Sequence, residues 1–128
     1  MLTVLVAAKR RADLSLADFT DYWLNRHAPL VLGVDNFTRH LRRYVIYPLL
    51  DFSDSKDFVL GKFPGYDGIG ELRFDDLDGM KAAFAEPDYL NIILPDEGKF
   101  LDRENCLTFL TGEFIQKELP ERAIALVG

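Results

Sequence analysis

The two histidines of this chain are the side chains best suited to moving protons near neutral pH, where an imidazole can take or give one. His27 ends an apolar stripe at helical spacing, whose other members are Leu16, Phe19 and Trp23. We therefore expect its ring at the edge of the core, beside Pro29, where it would act as a general base or acid. The alternative interpretation is a histidine that caps a helix end and does no chemistry.

Two carboxylates could be partners of that histidine. Asp67 and Glu71 share one phase of a predicted strand with an apolar residue, so one of them is expected to point into an apolar space. A carboxylate desolvated there can act as an acid or a base, with His27 as its partner. The alternative for Glu71 is an ion pair with Arg43 or Arg73 at a subunit contact.

A further group of side chains could bind a ligand. His40 lies in a predicted strand with Tyr44 in its phase and Arg43 in the other phase, and either phase could face a cavity. The alternative for His40 is an exposed position on a basic strand edge. Flat apolar walls with polar tips, suited to an aromatic or polyketide-like ligand, would come from Tyr22, Trp23, Tyr44 and Tyr66. For Trp23, a place in the core of its helix is the simpler interpretation.

Several kinds of site have no support in the sequence. Cys106 is the single cysteine, so no intrachain disulfide can form, and a small buried residue is a better interpretation of it than a nucleophile. Two histidines and one cysteine at these spacings do not predict a transition-metal cluster. The glycine-rich nucleotide motifs, the hydrolase elbow and the zinc-protease motif are missing from the sequence. We expect neither a metal nor an organic cofactor.

Composition limits the class of protein. The chain has 128 residues, of which 48% are hydrophobic, and it carries a formal net charge of -6, which indicates one folded domain. The acidic balance argues against nucleic acid and against an anionic membrane surface as partners. Basic residues follow the apolar N-terminal run, the reverse of a secretory signal, and no apolar stretch approaches the roughly 20 residues that span a bilayer. We expect a soluble, cytoplasmic protein.

The elements that position the candidate residues follow the order βαββαβ. The predicted strands are 2–8, 37–47, 66–74 and 106–114. One helix is capped by Ser15 and stopped or kinked at Pro29, and another begins at Asp75 or Asp76 and ends before Pro87. Two short helical turns, 88–94 and 96–101, are separated by Pro95. This order predicts an α+β, ferredoxin-like domain with a four-stranded antiparallel sheet and helices on one face.

The predicted domain spans residues 1–115, with an exposed loop over 51–65. The tail 116–128 is interpreted as a disordered end or an arm that packs on a neighbour. Several strands are apolar in both phases: in strand 66–74, Leu72 and Phe74 face one way and Ile69 the other. Because the helices cover only one face, we expect the second face to pack on another copy, as a homodimer that encloses a space between two sheets.

Four segments of the sequence resemble the EthD domain family over residues 1–115. They are Phe19-x-x-Tyr22-Trp23-x-x-x-His27-x-Pro29, HLRRYV at 40–45, YDGIGELRFDDL at 66–77 and PDEGKFLD at 95–102. The resemblance implies a dimeric α+β barrel, in which two ferredoxin-like sheets pack to form a joint barrel.

The resemblance also implies a range of functions. The founding member of the family is an accessory protein of ether degradation, and relatives include fungal polyketide dehydratases and methylmuconolactone isomerases that need no metal or organic cofactor. Many members carry Gln-Asn-His where this chain has Ile46-Tyr47-Pro48, so a reaction that needs a second histidine there is not implied.

The prediction that follows is a small dimeric barrel that binds an apolar or aromatic carbonyl compound and acts as a cofactor-free lyase or isomerase, such as a dehydratase or cyclase. His27 would move the proton, Glu71 or Asp67 would assist, and Arg43 or Tyr44 would stabilise oxyanion charge. One alternative is a binding module without catalysis. Another is a haem-binding or quinol monooxygenase-like barrel with His27 or His40 as the axial ligand.

Overall fold

The computed structural model of the chain describes residues 1–50 and 65–121. The predicted loop 51–65, apart from its last residue, and the end of the predicted tail lie outside these ranges. Four strands form one antiparallel sheet in the order β2-β3-β1-β4. They are β1 (Leu2–Ala8), β2 (Leu41–Pro48), β3 (Gly68–Phe74) and β4 (Leu107–Thr111). This is the ferredoxin-like arrangement that the sequence predicts.

Two helical arms cover one face of the sheet. The first arm consists of α1 (Leu16–Tyr22), a π-helical turn (Trp23–His27) and α2 (Ala28–Leu32), and the short α3 (Asp35–Thr38) follows it. The second arm consists of α4 (Leu77–Ala85), a π-helical turn (Tyr89–Ile93) and α5 (Leu94–Glu97), and a 3₁₀ turn (Arg103–Asn105) follows it.

Both arms begin at the caps that the sequence predicts. The Ser15 side chain accepts a hydrogen bond from the backbone N–H of Asp18 at 3.0 Å. The Asp76 carboxylate accepts one from the backbone N–H of Gly79 at 2.7 Å. Each cap satisfies a backbone donor that the first turn of a helix leaves free.

The two π-turns occur at the same place relative to a proline. The segments are WLNRHAP in the first arm and YLNIILP in the second. In each, the residue just before the proline donates its N–H five residues back, from Ala28 to the carbonyl of Trp23 and from Leu94 to that of Tyr89. Proline has no N–H and its ring crowds the carbonyl four residues earlier, and the wider turn lets the helix continue past it. The helix therefore does not stop at Pro29, and the break predicted at Pro95 is also absent, because the second π-turn continues directly into α5.

The second strand begins later than the sequence predicts. Residues 35–38 form α3 and only Leu41–Pro48 form β2, with a bulge between Leu41 and Arg43. The side chain of Phe37 is buried in the helical layer. A buried apolar residue is compatible with either a helical turn or a strand, so the sequence pattern alone does not distinguish them. His40 consequently lies in the turn before β2 and not on the strand.

The two faces of the sheet differ in what covers them. Val4, Leu72 and Phe74 pack against the arms. The opposite face, which we call the outer face, carries Ile69 and Phe109, whose exposed fractions are 43% and 65%. Within the described ranges, no helix of the chain covers the outer face. No helix there is long and apolar enough to cross a membrane.

Gly68, the first residue of β3, can be used to test how closely the first helical arm packs on the sheet. Its φ is +157°, and an added Cβ would lie 2.6 Å from the Trp23 ring and 2.8 Å from the Tyr47 carbonyl oxygen. We expect Gly68→Ala to lower the free energy of unfolding by about 2 kcal/mol or more, measured by urea denaturation at fixed protein concentration. Gly70→Ala is the matched control, because its Cβ would meet Trp23 at an ordinary 3.5 Å. Equal losses in the two variants would contradict the prediction.

Candidate active site

A cavity of about 610 Å³ lies between the sheet and the helical arms, within the usual size range of small-molecule sites. Small and apolar residues form its floor on the sheet, among them Val6, Ala8 and Gly70. This cavity lies within one chain, because small side chains on the floor leave room under the arms. The space predicted between the two sheets of a dimer stays a prediction.

His27 lines this cavity from the first π-turn. Its Nδ1 lies 2.8 Å from Oδ2 of Asp96, and both side chains are more than nine-tenths buried. The ring packs against Phe100, with 4.7 Å between the ring centroids. These contacts fix the orientation of the imidazole. In the described part of the chain, its second nitrogen, Nε2, has no protein hydrogen-bond partner.

Asp96 accepts hydrogen bonds on both of its carboxylate oxygens. The Tyr22 hydroxyl donates to Oδ1 at 2.6 Å, while Oδ2 contacts His27. Burial opposes the charge of Asp96, but the hydrogen bonds from Tyr22 and His27 outweigh it and hold its pKa below the usual range. Burial and the bond to Asp96 raise the pKa of Tyr22 to about 12, so this hydroxyl remains a donor. An ionised Asp96 can only accept, and therefore His27 Nδ1 carries the shared proton.

Glu97, the next residue, lines the cavity and has the opposite electrostatic character. Burial raises the pKa of its carboxyl group above the ordinary value, although a hydrogen bond from Tyr89 and the charges of His27 and Arg103 lower it in part. The Tyr89 hydroxyl donates to Oε2 of Glu97 at 2.8 Å. The two neighbouring carboxyl groups therefore differ in pKa. That of Asp96 is lowered, which favours its ionised form, and that of Glu97 is raised, which favours its protonated form.

Two of the predicted ligand-binding aromatic residues, Trp23 and Tyr44, line the cavity. Burial raises the pKa of Tyr44, which keeps its hydroxyl protonated and able to donate a hydrogen bond. Tyr22 does not line the cavity, and its hydroxyl instead donates a hydrogen bond to Asp96. Trp23 is also a core residue, as its alternative interpretation holds, because it is buried against Phe19.

The predicted partnership of His27 with Glu71 or Asp67 is corrected by the structure. Glu71 points to the outer face, where it pairs with Arg43 at 2.9 Å and with Arg73 at 3.8 Å. Asp67 accepts from the backbone N–H of Arg10 at 2.9 Å and pairs with the side chain of that residue. Neither carboxylate lines the cavity, because Glu71 lies on the outer face of the sheet and Asp67 lies before β3, where it is bound to Arg10. The ion pair considered for Glu71 is the arrangement found.

Three predicted ligand-binding residues also lie away from the cavity. Arg43 is on the outer face, Tyr66 precedes β3, and His40 binds Glu86 at 2.9 Å outside the site. Of the two histidines considered as haem ligands, only His27 lines the cavity. Among the described residues, no group of three or more histidines, cysteines or acidic residues is arranged to hold a metal ion.

Cys106 lies at the cavity wall but is not activated. Its thiol donates to the carbonyl of Asp102 at 3.3 Å, and its sulfur accepts from the backbone N–H of Lys9 at 3.3 Å. Burial raises the pKa of the thiol, which lowers the fraction of the nucleophilic thiolate form.

Asp96 and Glu97 are candidate functional residues that the sequence alone did not reveal. They occur in the segment PDEGKFLD, which contributes to the family resemblance but carries no assigned role there. A signal was present, because two adjacent acidic residues follow an apolar helical run and Pro95. Their significance depends on contacts with Tyr22 and His27, which are distant in sequence.

The sheet order and the paired helical arms define an α+β ferredoxin-like protein, with a cavity of small-molecule size between the sheet and the arms. A protein-family model described as the EthD domain matches residues 11–104, and the chain belongs to this family. The resemblance found in the sequence is therefore confirmed. No curated protein matches the chain.

Solved structures show the same fold at low sequence identity. An EthD family protein from Bacillus halodurans C-125 is 18% identical with a TM-score of 0.61, and the match covers 89% of this chain and 100% of that one. A dimeric ferredoxin-like protein of unknown function from Thermobifida fusca YX is 14% identical with a TM-score of 0.60, over 88% and 90% of the two chains. SnoaB, a cofactor-independent oxygenase from Streptomyces nogalater, is 16% identical with a TM-score of 0.55, over 94% and 97%. The predicted fold is confirmed, and solved proteins that share it are described as dimeric.

The buried contacts of Asp96 can be tested by stability measurements. Asp96→Asn removes the charge that Tyr22 and His27 both approach, and we expect a loss of about 1–3 kcal/mol in the free energy of unfolding near pH 7. Because the pKa of Asp96 is lowered by folding, its contribution is present above the pKa of the unfolded chain and is lost as the pH falls through the folded pKa. The difference between wild type and variant should therefore shrink in acid.

Asp75→Asn is the control for that measurement. Asp75 forms an exposed ion pair with Arg42 at 2.8 Å, and such pairs contribute about 1 kcal/mol or less. A loss for Asp96→Asn that does not exceed the control, or that stays constant with pH, would show that the carboxylate does not hold the two donors.

Proposed function

We propose that this protein binds a small apolar or aromatic carbonyl compound in the cavity and catalyses a cofactor-free proton transfer on it, as in a dehydration, isomerisation or cyclisation. The observation that carries the proposal is the His27–Asp96 pair on the wall of an apolar cavity. A histidine fixed by a buried carboxylate is an arrangement suited to general base or acid catalysis.

In this mechanism His27 removes a proton through Nε2. Because Nδ1 donates to Asp96, the neutral imidazole keeps its lone pair on Nε2, the nitrogen without a protein partner in the described residues. When Nε2 takes a proton, the ionised Asp96 lies beside the imidazolium and stabilises its charge. The Tyr22 hydroxyl keeps the carboxylate in place during this step.

The rest of the cavity favours the proposed class of ligand. The floor and walls are largely apolar, and Trp23 and Phe100 contribute aromatic surface, which suits a flat ligand. A carbonyl oxygen that gains negative charge needs a hydrogen-bond donor, and the Tyr44 hydroxyl can supply one. Arg43, the other residue predicted for that role, is excluded by its position on the outer face.

Similarity to SnoaB supports the proposal only at the level of the fold. That protein is described as a cofactor-independent oxygenase, so this fold can support chemistry without a cofactor. Function depends on the residues of a site and not on the fold that carries them.

Exchange of carbon-bound hydrogen with solvent tests the proposed proton transfer. The probe is 2-tetralone, a small aromatic ketone, incubated with the protein in D₂O, and loss of its α-proton signals is followed by NMR. We expect wild type to accelerate the exchange above the buffer rate and His27→Ala to lower that acceleration about 10²-fold or more.

His40→Ala is the matched control, because it removes the other histidine and lies outside the cavity. Its rate should equal that of wild type. Equal rates for His27→Ala and wild type would exclude His27 as the base. Stabilisation of wild type by 2-tetralone without any exchange would assign a binding module and overturn the catalytic proposal.

The proposed functional unit is a homodimer that packs through the outer face. Solved proteins of this fold are described as dimeric, and Ile69 and Phe109 leave an exposed apolar surface on that face. Packing two outer faces together would bury this surface while leaving each cavity on the opposite side of its own sheet.

Native mass tests this assembly. We expect light scattering to give twice the 14.6 kDa of one chain, and Phe109→Lys to give the mass of a single chain, because it places a charge in the proposed contact. Leu32→Lys is the control, since Leu32 is exposed to a similar extent, 61% against 65%, but lies on the helical side. Dissociation by both variants, or by neither, would contradict a dimer through the outer face.

A further inference from the structure

We propose that Glu97 is the second acid–base residue of this cavity and donates a proton to the ligand oxygen while His27 takes a proton from carbon. This inference rests on the proposed function and adds to it a second group with a defined role. It also narrows the ligand to compounds whose oxygen lies within reach of Glu97 when a carbon-bound proton lies at His27.

The position of Glu97 supports this role. It is the last residue of α5, and its side chain lines the same cavity as that of His27. The Tyr89 hydroxyl donates to Oε2, so that the other oxygen, Oε1, is the one free to hold a proton. Arg103 forms an ion pair with Oε1 at 3.8 Å, a distance too long for a hydrogen bond, and its charge lowers the pKa of Glu97 in part.

The charges around Glu97 are consistent with a group that exchanges protons. Burial is the main effect and raises its pKa, and the negative charge of Asp96 adds to this effect. The groups that lower it are Tyr89 on the second π-turn, His27 on the first, and Arg103 on the 3₁₀ turn. The charge of Glu97 also raises the pKa of two further titratable groups, namely Tyr44 on β2 and Cys106 before β4.

The proposed step is balanced without any co-reactant. The α-carbon–hydrogen bond breaks, its proton goes to Nε2 of His27, and its electron pair forms the carbon–carbon double bond. The carbonyl π pair moves to oxygen, which takes the proton from Glu97. The products are a neutral enol, an imidazolium beside Asp96 and a Glu97 carboxylate, and the reverse step returns a solvent-derived proton to carbon.

The test is the pH dependence of the 2-tetralone exchange in wild type and in Glu97→Gln. The proposed step requires a protonated Glu97, whose pKa is raised by burial, so the wild-type rate should fall with rising pH as Glu97 loses its proton. Glu97→Gln keeps the shape and the bond with Tyr89 but cannot give a proton. We expect its rate to fall about 10²-fold and the falling limb of its profile to disappear.

Glu104→Gln is the matched control, because Glu104 is an exposed carboxylate of the neighbouring 3₁₀ turn and does not line this cavity. Its rate and profile should match those of wild type. A Glu97→Gln variant with the wild-type rate and an unchanged falling limb would overturn the role of Glu97. If His27→Ala still lowers the rate in that case, the proposed function stands and only this inference fails.

A second variant and a second readout do not depend on loss of the carboxyl group. Tyr89→Phe removes a hydrogen bond that lowers the pKa of Glu97, so the falling limb should move to higher pH. An unmoved limb would mean that a group other than Glu97 produces it, which would overturn the inference.

Stability of Glu97→Gln gives a result independent of turnover. Because the pKa of Glu97 is raised by folding, its carboxyl group favours the folded state in acid, and that preference is lost as the pH rises through the folded pKa. Urea denaturation should therefore show Glu97→Gln to be more stable than wild type near neutral pH, with the gain vanishing in acid. A loss of stability near neutral pH that disappears in acid would indicate an ionised, paired Glu97 and overturn the inference.

Discussion

A carboxylate buried between two helical arms needs hydrogen-bond donors on both oxygens, and Asp96 finds them in Tyr22 and His27. The donors lie on the first arm and the acceptor at the end of the second, so the contact joins segments 74 and 69 residues apart in the chain. The same contact holds the imidazole by one nitrogen and leaves the other without a protein partner among the described residues. A single interaction therefore fixes the helical layer and orients the candidate base.

The two π-turns explain how both arms deliver polar side chains to one place. Each precedes a proline, and each rotates the residues that follow relative to a regular α-helix. His27 is the last residue of the first π-turn, while Asp96 and Glu97 follow the second in α5. A regular helix through either proline would require a hydrogen bond that Pro29 and Pro95 cannot make. The prolines thus belong to the construction of the site.

Local signals in the sequence were sufficient for the order of strands and main helices along the chain, the Ser15 cap and the position of His27 on the buried side of its helix. They were insufficient where one pattern fits two structures, as at Phe37, which occupies a helical turn although its neighbourhood resembles a strand. The choice between Asp96 and Glu71 as partner of His27 was also beyond them. Strand alternation separates the faces of a sheet, but tertiary packing decides which face the helices cover.

The division of the molecule by its sheet assigns different tasks to its layers. The proposed acid–base groups His27 and Glu97 come from the helical arms, whereas the floor of the cavity comes from strands with small side chains such as Ala8 and Gly70. Enlarging a floor residue would reduce the space for a ligand without touching the hydrogen bonds of Asp96. The strands can therefore change the space for a ligand while the arms keep His27 and Glu97 in place.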